Sequence, residues 1–153
     1  MNIVEVKDRN QSLINQLLEV WESSVKATHL FLSNNEIENI KKYVPQALKE
    51  IQYLIIAENK IPIAFMGIEN QKLEMLFITN EERGKGLGKK LVNYGIENYN
   101  IKELTVNEQN PKAKEFYERM GFKSYKISKF DEQGKPYPIL YMRLEKLWAN
   151  ILI

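Results

Sequence analysis

The segment Arg83-Gly84-Lys85-Gly86-Leu87-Gly88 has the residue types and spacing with the clearest chemical meaning in this chain. It follows an apolar run, Leu73 to Ile78, that reads as a strand, and it opens a periodic stretch, Leu87 to Tyr99, that reads as a helix. A glycine-rich turn between strand and helix brings backbone N–H groups toward a common point. The helix adds the positive end of its dipole there, and the glycines leave no side chain in the way of a phosphate. Arg83 supplies a planar charged fork, with Lys85, Lys89 and Lys90 nearby. A phosphorylated ligand is therefore the expected occupant. Two familiar nucleotide loops fail on spacing. The glycines do not fall as G-x-G-x-x-G, and no Ser or Thr follows Gly88-Lys89 as a triphosphate loop requires. What remains is R-x-x-G-x-G, which taken alone reads equally well as a basic turn on a solvated surface.

The rest of the composition narrows the chemistry. The chain has 153 residues and no cysteine, so a thiolate nucleophile, a thiolate metal site and a disulfide framework are all excluded. His29 is the sole histidine, which rules out a multi-histidine zinc site, and no metal is expected. With 22 basic and 20 acidic residues the formal net charge is +2, which argues against a nucleic-acid partner. The N-terminal residues lack the apolar core of a signal peptide, and no run approaches the ~20 apolar residues of a membrane span. A cytoplasmic protein without a membrane partner is expected, folded as one domain over residues 1–153. It would be a monomer or a homodimer. The apolar C-terminus, Leu147 to Ile153, is expected to pack on its own domain or on a second subunit.

Several elements must position the glycine turn. Residues 2–6 read as an edge strand and Gln11 to Ser24 as a helix with Leu13, Ile14, Leu17, Leu18 and Trp21 at helical spacing. Ser33 starts a second helix that reaches toward Leu48, bent or divided at Pro45. Tyr53 to Ala57, Ile63 to Ile68 and Leu73 to Ile78 read as strands with short connections, hence an antiparallel meander. Beyond the helix 87–99, Ile101 to Val106 reads as a strand. A strand–helix–strand crossover makes it parallel to 73–78. Asn110-Pro111 opens a helix that stops at Met120-Gly121, and Phe122 to Phe130 and Ile139 to Leu144 are the last strands. The predicted class is α+β: a mixed, mostly antiparallel sheet of about six to seven strands, flanked by about four helices.

That order of elements resembles the GNAT superfamily of N-acetyltransferases. Leu76-Phe77-Ile78-Thr79 followed by Glu81-Glu82-Arg83-Gly84-Lys85-Gly86-Leu87-Gly88 is similar to the family's acetyl-CoA pyrophosphate motif with its preceding strand. The segment from Asn110 through Ala113, Phe116 and Tyr117 to Gly121-Phe122 resembles its second half, N-x-x-A-x-x-F-Y-x-x-x-G-F. Residues 24–33 and the Gly134-Lys135-Pro136-Tyr137-Pro138 loop are similar to small stand-alone bacterial members, which extends the likeness to nearly the whole chain.

The resemblance implies an acetyl-CoA-dependent N-acetyltransferase acting by direct attack of a primary amine, from a small molecule or a peptide, in a ternary complex. Acetyl-CoA would be the co-substrate. Backbone amides of Arg83, Gly84, Lys85, Gly86, Leu87 and Gly88 would hold its pyrophosphate, with Lys89 at the helix start. Phe77 and Ile78 would offer main-chain groups to the pantetheine arm where their strand splays from its parallel neighbour, their side chains serving the core. Asn110 caps a helix and is placed to touch the cofactor. Tyr117 would act as the acid for the departing thiolate, since a phenol with a pKa of ~10 is protonated at neutral pH; as a residue type it fits a core aromatic equally well. His29 and Phe31 lie in the connection that would border the acceptor, and Tyr137 lies between two prolines at its mouth. Each could instead be a structural anchor. Glu74 and Glu69 are the carboxylates nearest the site for a base, without a clear motif match. The rival expectation is a CoA-binding sensor or regulator without catalysis on the same fold.

Overall fold

A computed structural model describes residues 1–145, so the apolar C-terminal segment lies outside the described residues. Seven strands form one sheet in the order β1-β2-β3-β4-β5-β7-β6. They are β1 (Asn2–Glu5), β2 (Tyr53–Asn59), β3 (Ile61–Glu69), β4 (Lys72–Ile78), β5 (Glu103–Asn107), β6 (Phe122–Ser128) and β7 (Ile139–Leu144). The helices are α1 (Gln11–Thr28), α2 (Asn34–Lys41), α3 (Val44–Glu50), α4 (Leu87–Tyr99) and α5 (Pro111–Arg119). The second predicted helix is divided as Pro45 requires: α2 ends before it and α3 starts with it in its first turn. α2 opens with a reciprocal cap, the Ser33 hydroxyl accepting from the Glu36 N–H and the Glu36 carboxylate accepting from the Ser33 N–H.

The meander β1–β4 is antiparallel throughout, and β3 turns into β4 through Asn70 and Gln71, both at positive φ, as a two-residue hairpin loop demands. β4 and β5 are parallel, as the crossover predicts, but they pair only at Lys72–Glu103 and Leu73–Leu104. The register between β3 and β4 explains why pairing stops there. Ile68 faces Leu73 and Gly67 faces Met75, so Glu74 is an extra residue on β4. Such a bulge bends its strand and adds twist. From Glu74 onward β4 leaves β5, and a gap opens through the sheet.

Each face has its own core. Leu73 of β4, Met66 and Ile68 of β3, and Leu104 and Val106 of β5 pack under α4 and α5. Leu54, Ile56 and Phe65 pack on the other face under α1, α2 and α3. α4 can sit close to the sheet because Gly95 has no side chain: a Cβ there would stand 2.3 Å from Ile101 Cδ1. α1 runs past the predicted end at Ser24 to Thr28, because Ser24 is small enough to be buried and Val25 continues the apolar face. That extension carries Thr28 and His29 to the edge of the gap.

Candidate active site

Where β4 leaves β5, two adjoining cavities of about 410 and 140 Å³ meet. The larger runs along the glycine turn and the start of α4; the smaller lies between β4 and β5. His29, Phe77, Asn110 and Tyr117 line both. The gap passes from face to face. Tyr117 comes from α5 and packs with the core under α4 and α5, whereas His29 ends α1 on the opposite face.

The glycine turn has the geometry of an anion cradle. Gly84 and Gly86 both take positive φ, and a Cβ on either would meet nothing within 4 Å, so the space before them is open. Gly86 is the cap of α4, which has no side-chain hydrogen bond at its N-terminus. The Leu87, Gly88 and Lys89 N–H groups belong to the first turn, where no intrahelical acceptor exists. The first internal bond there is from the Lys90 N–H to the Gly86 carbonyl, at 3.2 Å. The turn is moored at its other end by the Asn80 N–H, which donates to Ser23 Oγ of α1 at 3.0 Å. Gly88 lets α4 start against its neighbours, since a Cβ would lie 3.3 Å from Phe116 and 3.4 Å from Ile78. Of the nearby cations, Arg83 and Lys89 line the larger cavity, joined by Lys112 of α5. Lys85 does not line it and instead pairs with Glu82 at 3.6 Å.

Asn110 caps α5, its side-chain oxygen accepting from the Ala113 N–H at 3.3 Å, and it lines both cavities. Tyr117 is clamped by Phe116 and Phe122 at ring distances of 5.1 and 6.0 Å. Burial pushes its phenol above the ordinary range, so it carries its proton at neutral pH. No hydrogen bond within the protein engages that hydroxyl among the described residues. None of their side-chain oxygens is buried without a partner, so the hydroxyl opens on the cavity.

The residues expected near an acceptor form a chain of ring contacts that reaches the cavities only at His29. The His29 ring lies 5.5 Å from that of Phe31, and Phe31 lies 5.6 Å from Tyr137. The Tyr137 hydroxyl donates to the Glu36 carboxylate at the start of α2, so the β6–β7 loop is tied to the α1–α2 connection. Phe31 and Tyr137 stand behind His29 and line neither cavity. Glu74, the bulged residue, lines the smaller cavity. Its carboxyl is held above the usual range chiefly by burial, with Lys72 opposing and the Glu132 and Glu69 carboxylates adding to the rise. Glu69 is otherwise engaged, accepting from the Gln52 N–H at 2.9 Å. Ser24, Thr28 and Lys112 are cavity residues that sequence reasoning missed. Ser24 carried a signal, being a small polar residue inside an apolar helical stripe.

The described residues thus bring together a sheet that splays beside a glycine-rich helix start and a half-buried tyrosine on the next helix. Residues 11–145 match the family described as "Acetyltransferase (GNAT) domain", and the chain belongs to the GNAT acetyltransferases. It is an acetyl-CoA-dependent N-acetyltransferase. It is 37% identical over 126 residues to a peptidyl-lysine N-acetyltransferase, YjaB, of Salmonella typhimurium, covering 82% of this chain and 87% of the relative. The solution structure of apo YjaB from Escherichia coli superposes with a TM-score of 0.82 at 34% identity, covering 94% of this chain and 97% of that one. The fold is shared with PaiA N-acetyltransferase of Thermoplasma acidophilum, solved with coenzyme A, at a TM-score of 0.67 and 23% identity over 94% and 99% of the two chains.

Proposed function

We propose that the protein moves the acetyl group of acetyl-CoA onto the ε-amine of a lysine in a peptide or protein. The observation that carries this reading is the gap between β4 and β5, which opens on both faces with the anion cradle at one end and a protonated phenol beside it. The amides of residues 84–89, with Arg83 and Lys89, hold the pyrophosphate. The edge of β4 from Met75 to Ile78, released from β5, pairs with the amides of the pantetheine arm as a strand would. The thioester then lies in the gap beside Tyr117 and the Asn110 amide.

Direct transfer needs the amine on one side of the thioester carbonyl and a proton donor near the sulfur. Tyr117 supplies the proton to the departing thiolate. The amine enters over the α1 side, past the ring contacts of His29, Phe31 and Tyr137. Glu74 and Glu132, brought within electrostatic reach of each other, favour a cationic side chain over a neutral one. The naming of two relatives as peptidyl-lysine N-acetyltransferases supports the same acceptor class. The absence of cysteine and the need for acetyl-CoA support a cytoplasmic setting.

The test is to incubate the protein with acetyl-CoA and a panel of lysine-containing peptides, measuring free CoA thiol and peptide mass together. Equal yields of CoA and of ε-acetyl-lysine support the reading. CoA release without acetylated peptide, or binding of acetyl-CoA without any turnover, overturns it.

A further inference from the structure

We propose that His29 takes the proton from the attacking amine, and that Thr28 fixes the imidazole in the tautomer that makes it a base. This rests on the lysine-acetylating reading above. The Thr28 hydroxyl lies 2.8 Å from the Ser24 carbonyl oxygen and 2.8 Å from His29 Nδ1. A carbonyl only accepts, so the hydroxyl hydrogen is spent on Ser24. Nδ1 must then bring its own hydrogen to Thr28 Oγ1. A neutral ring protonated at Nδ1 has its lone pair at Nε2.

Nε2 has no protein partner among the described residues. None of their side-chain nitrogens is buried without one, so Nε2 opens on the space that His29 lines. Burial, with no charged neighbour contributing, holds the ring below its ordinary range and keeps it neutral near pH 7. The titratable groups that share the smaller cavity with it are Glu74 of β4 and Tyr117 of α5. Glu82, Arg83, Lys89 and Lys112 share the larger one. The base is thus on one face of the sheet and the acid on the other, with the thioester between them.

The protons balance as follows. The lysine ammonium loses one proton to water at the open mouth. The neutral nitrogen forms a bond to the thioester carbonyl carbon, and its second proton passes to His29 Nε2. The carbonyl re-forms, the carbon–sulfur bond breaks with its electron pair on sulfur, and the sulfur takes the Tyr117 proton. Water then removes the proton from the imidazolium and returns one to the phenolate. One proton is released per turnover.

Because His29 is the sole histidine, a ¹⁵N-histidine-labelled, untagged protein gives one imidazole signal, and its ¹⁵N shifts report the tautomer directly. The expected result is Nδ1–H in the wild type and a shift toward Nε2–H in Thr28→Val, with Thr28→Ser restoring the wild-type form. In kinetics with a lysine peptide, His29→Gln loses about 100-fold or more in kcat while acetyl-CoA binding stays within about twofold. Thr28→Val loses about tenfold in kcat without a change in KM for acetyl-CoA, and added imidazole partly restores His29→Ala. An Nε2–H tautomer in the wild type, or a His29→Gln kcat within about threefold of wild type, overturns the proposal. A wild type silent toward every lysine peptide would refute the acetylation reading instead, and the ¹⁵N shifts would still decide the Thr28–His29 arrangement.

Discussion

Replacing Gly86 by alanine separates the strain of the glycine turn from its use. Gly86 has φ of +83°, where a side chain costs about 1–2 kcal/mol. Its Cβ would meet nothing within 4 Å, so no clash adds to that cost in the free protein. For a domain of this size, each kcal/mol lowers Tm by about 2–4 °C. Gly134, in the β6–β7 loop, is a matched control: its φ is +76° and its Cβ would also meet open space. Both variants are therefore expected to lose a similar few degrees of Tm. They should differ in binding. The Gly86 Cβ projects at the cap whose amides, on the proposed reading, hold the pyrophosphate. Losing one hydrogen bond to a charged group costs about 1.5–3 kcal/mol, or about 10- to 150-fold in Kd. Thermal melts and calorimetric titration with acetyl-CoA measure the two effects separately. If Gly86→Ala binds acetyl-CoA within about twofold of Gly134→Ala, the cradle is not where the pyrophosphate sits.

Tyr117→Phe should bind acetyl-CoA normally and lose about 100-fold in kcat in a thiol-release assay; unchanged turnover would remove the acid role, and normal binding with no turnover even in the wild type would favour a CoA sensor. Gly95→Ala gains about 1 kcal/mol of helix propensity but drives a Cβ to 2.3 Å from the buried Ile101 side chain. Overpacking of about 1–3 kcal/mol then makes the variant neutral to about 2 kcal/mol less stable in urea unfolding, and a clear gain in stability would refute the close approach. Burial lowers the pKa of His29 in the folded state, so the unfolded chain binds more protons below its own value of about 6.5. Stability should therefore fall as the pH drops from about 6.5 toward the folded value, and His29→Gln should flatten that slope in urea midpoints. Glu5, held below the usual carboxylate range by Lys7 and Tyr99, contributes in a separate window: its stabilisation is present above the unfolded value of about 4.3 and is lost as the pH falls further.

The meander, the crossover helix and the capped α5 were legible because each is written locally: alternation for strands, 3.6-residue spacing for helices, Asn110-Pro111 and Met120-Gly121 for a start and a stop. Pro45 announced the break between α2 and α3 for the same reason. The structure puts β6 at the sheet edge, with Lys123, Ser124, Tyr125 and Lys126 exposed, whereas β7 buries Leu140 and Met142 and lies inside. The open glycine turn at the start of α4 was legible, since backbone geometry follows from glycine spacing. The gap was not legible from local pattern, because it depends on a register slip at Glu74 between strands whose individual patterns are unremarkable. Nor was the meeting of Glu74 with Glu132, or of Thr28 with the cavity, because those neighbours are set by how α1 and the β6–β7 loop pack. The ring contact of Phe31 with Tyr137 joins residues more than a hundred positions apart, and only tertiary packing decides that they touch.

Two paired positions, Lys72–Glu103 and Leu73–Leu104, are all that stitch β1–β4 to β5–β7 within the sheet. Past them, among the described residues, the halves are joined by the apolar layer beneath α4 and α5 and by the contacts of Tyr137 with Phe31 and Glu36. The molecule is thus built like a book whose spine is sewn at one end. A ligand laid along the free edge of β4 supplies the rungs that the ladder lacks, and it spans from the meander to α5. On the proposed reading its arrival is expected to stiffen this hinge. Amide exchange should then slow most on the free edge of β4 and on α5 when acetyl-CoA is added, with little change at β1, far along the sheet.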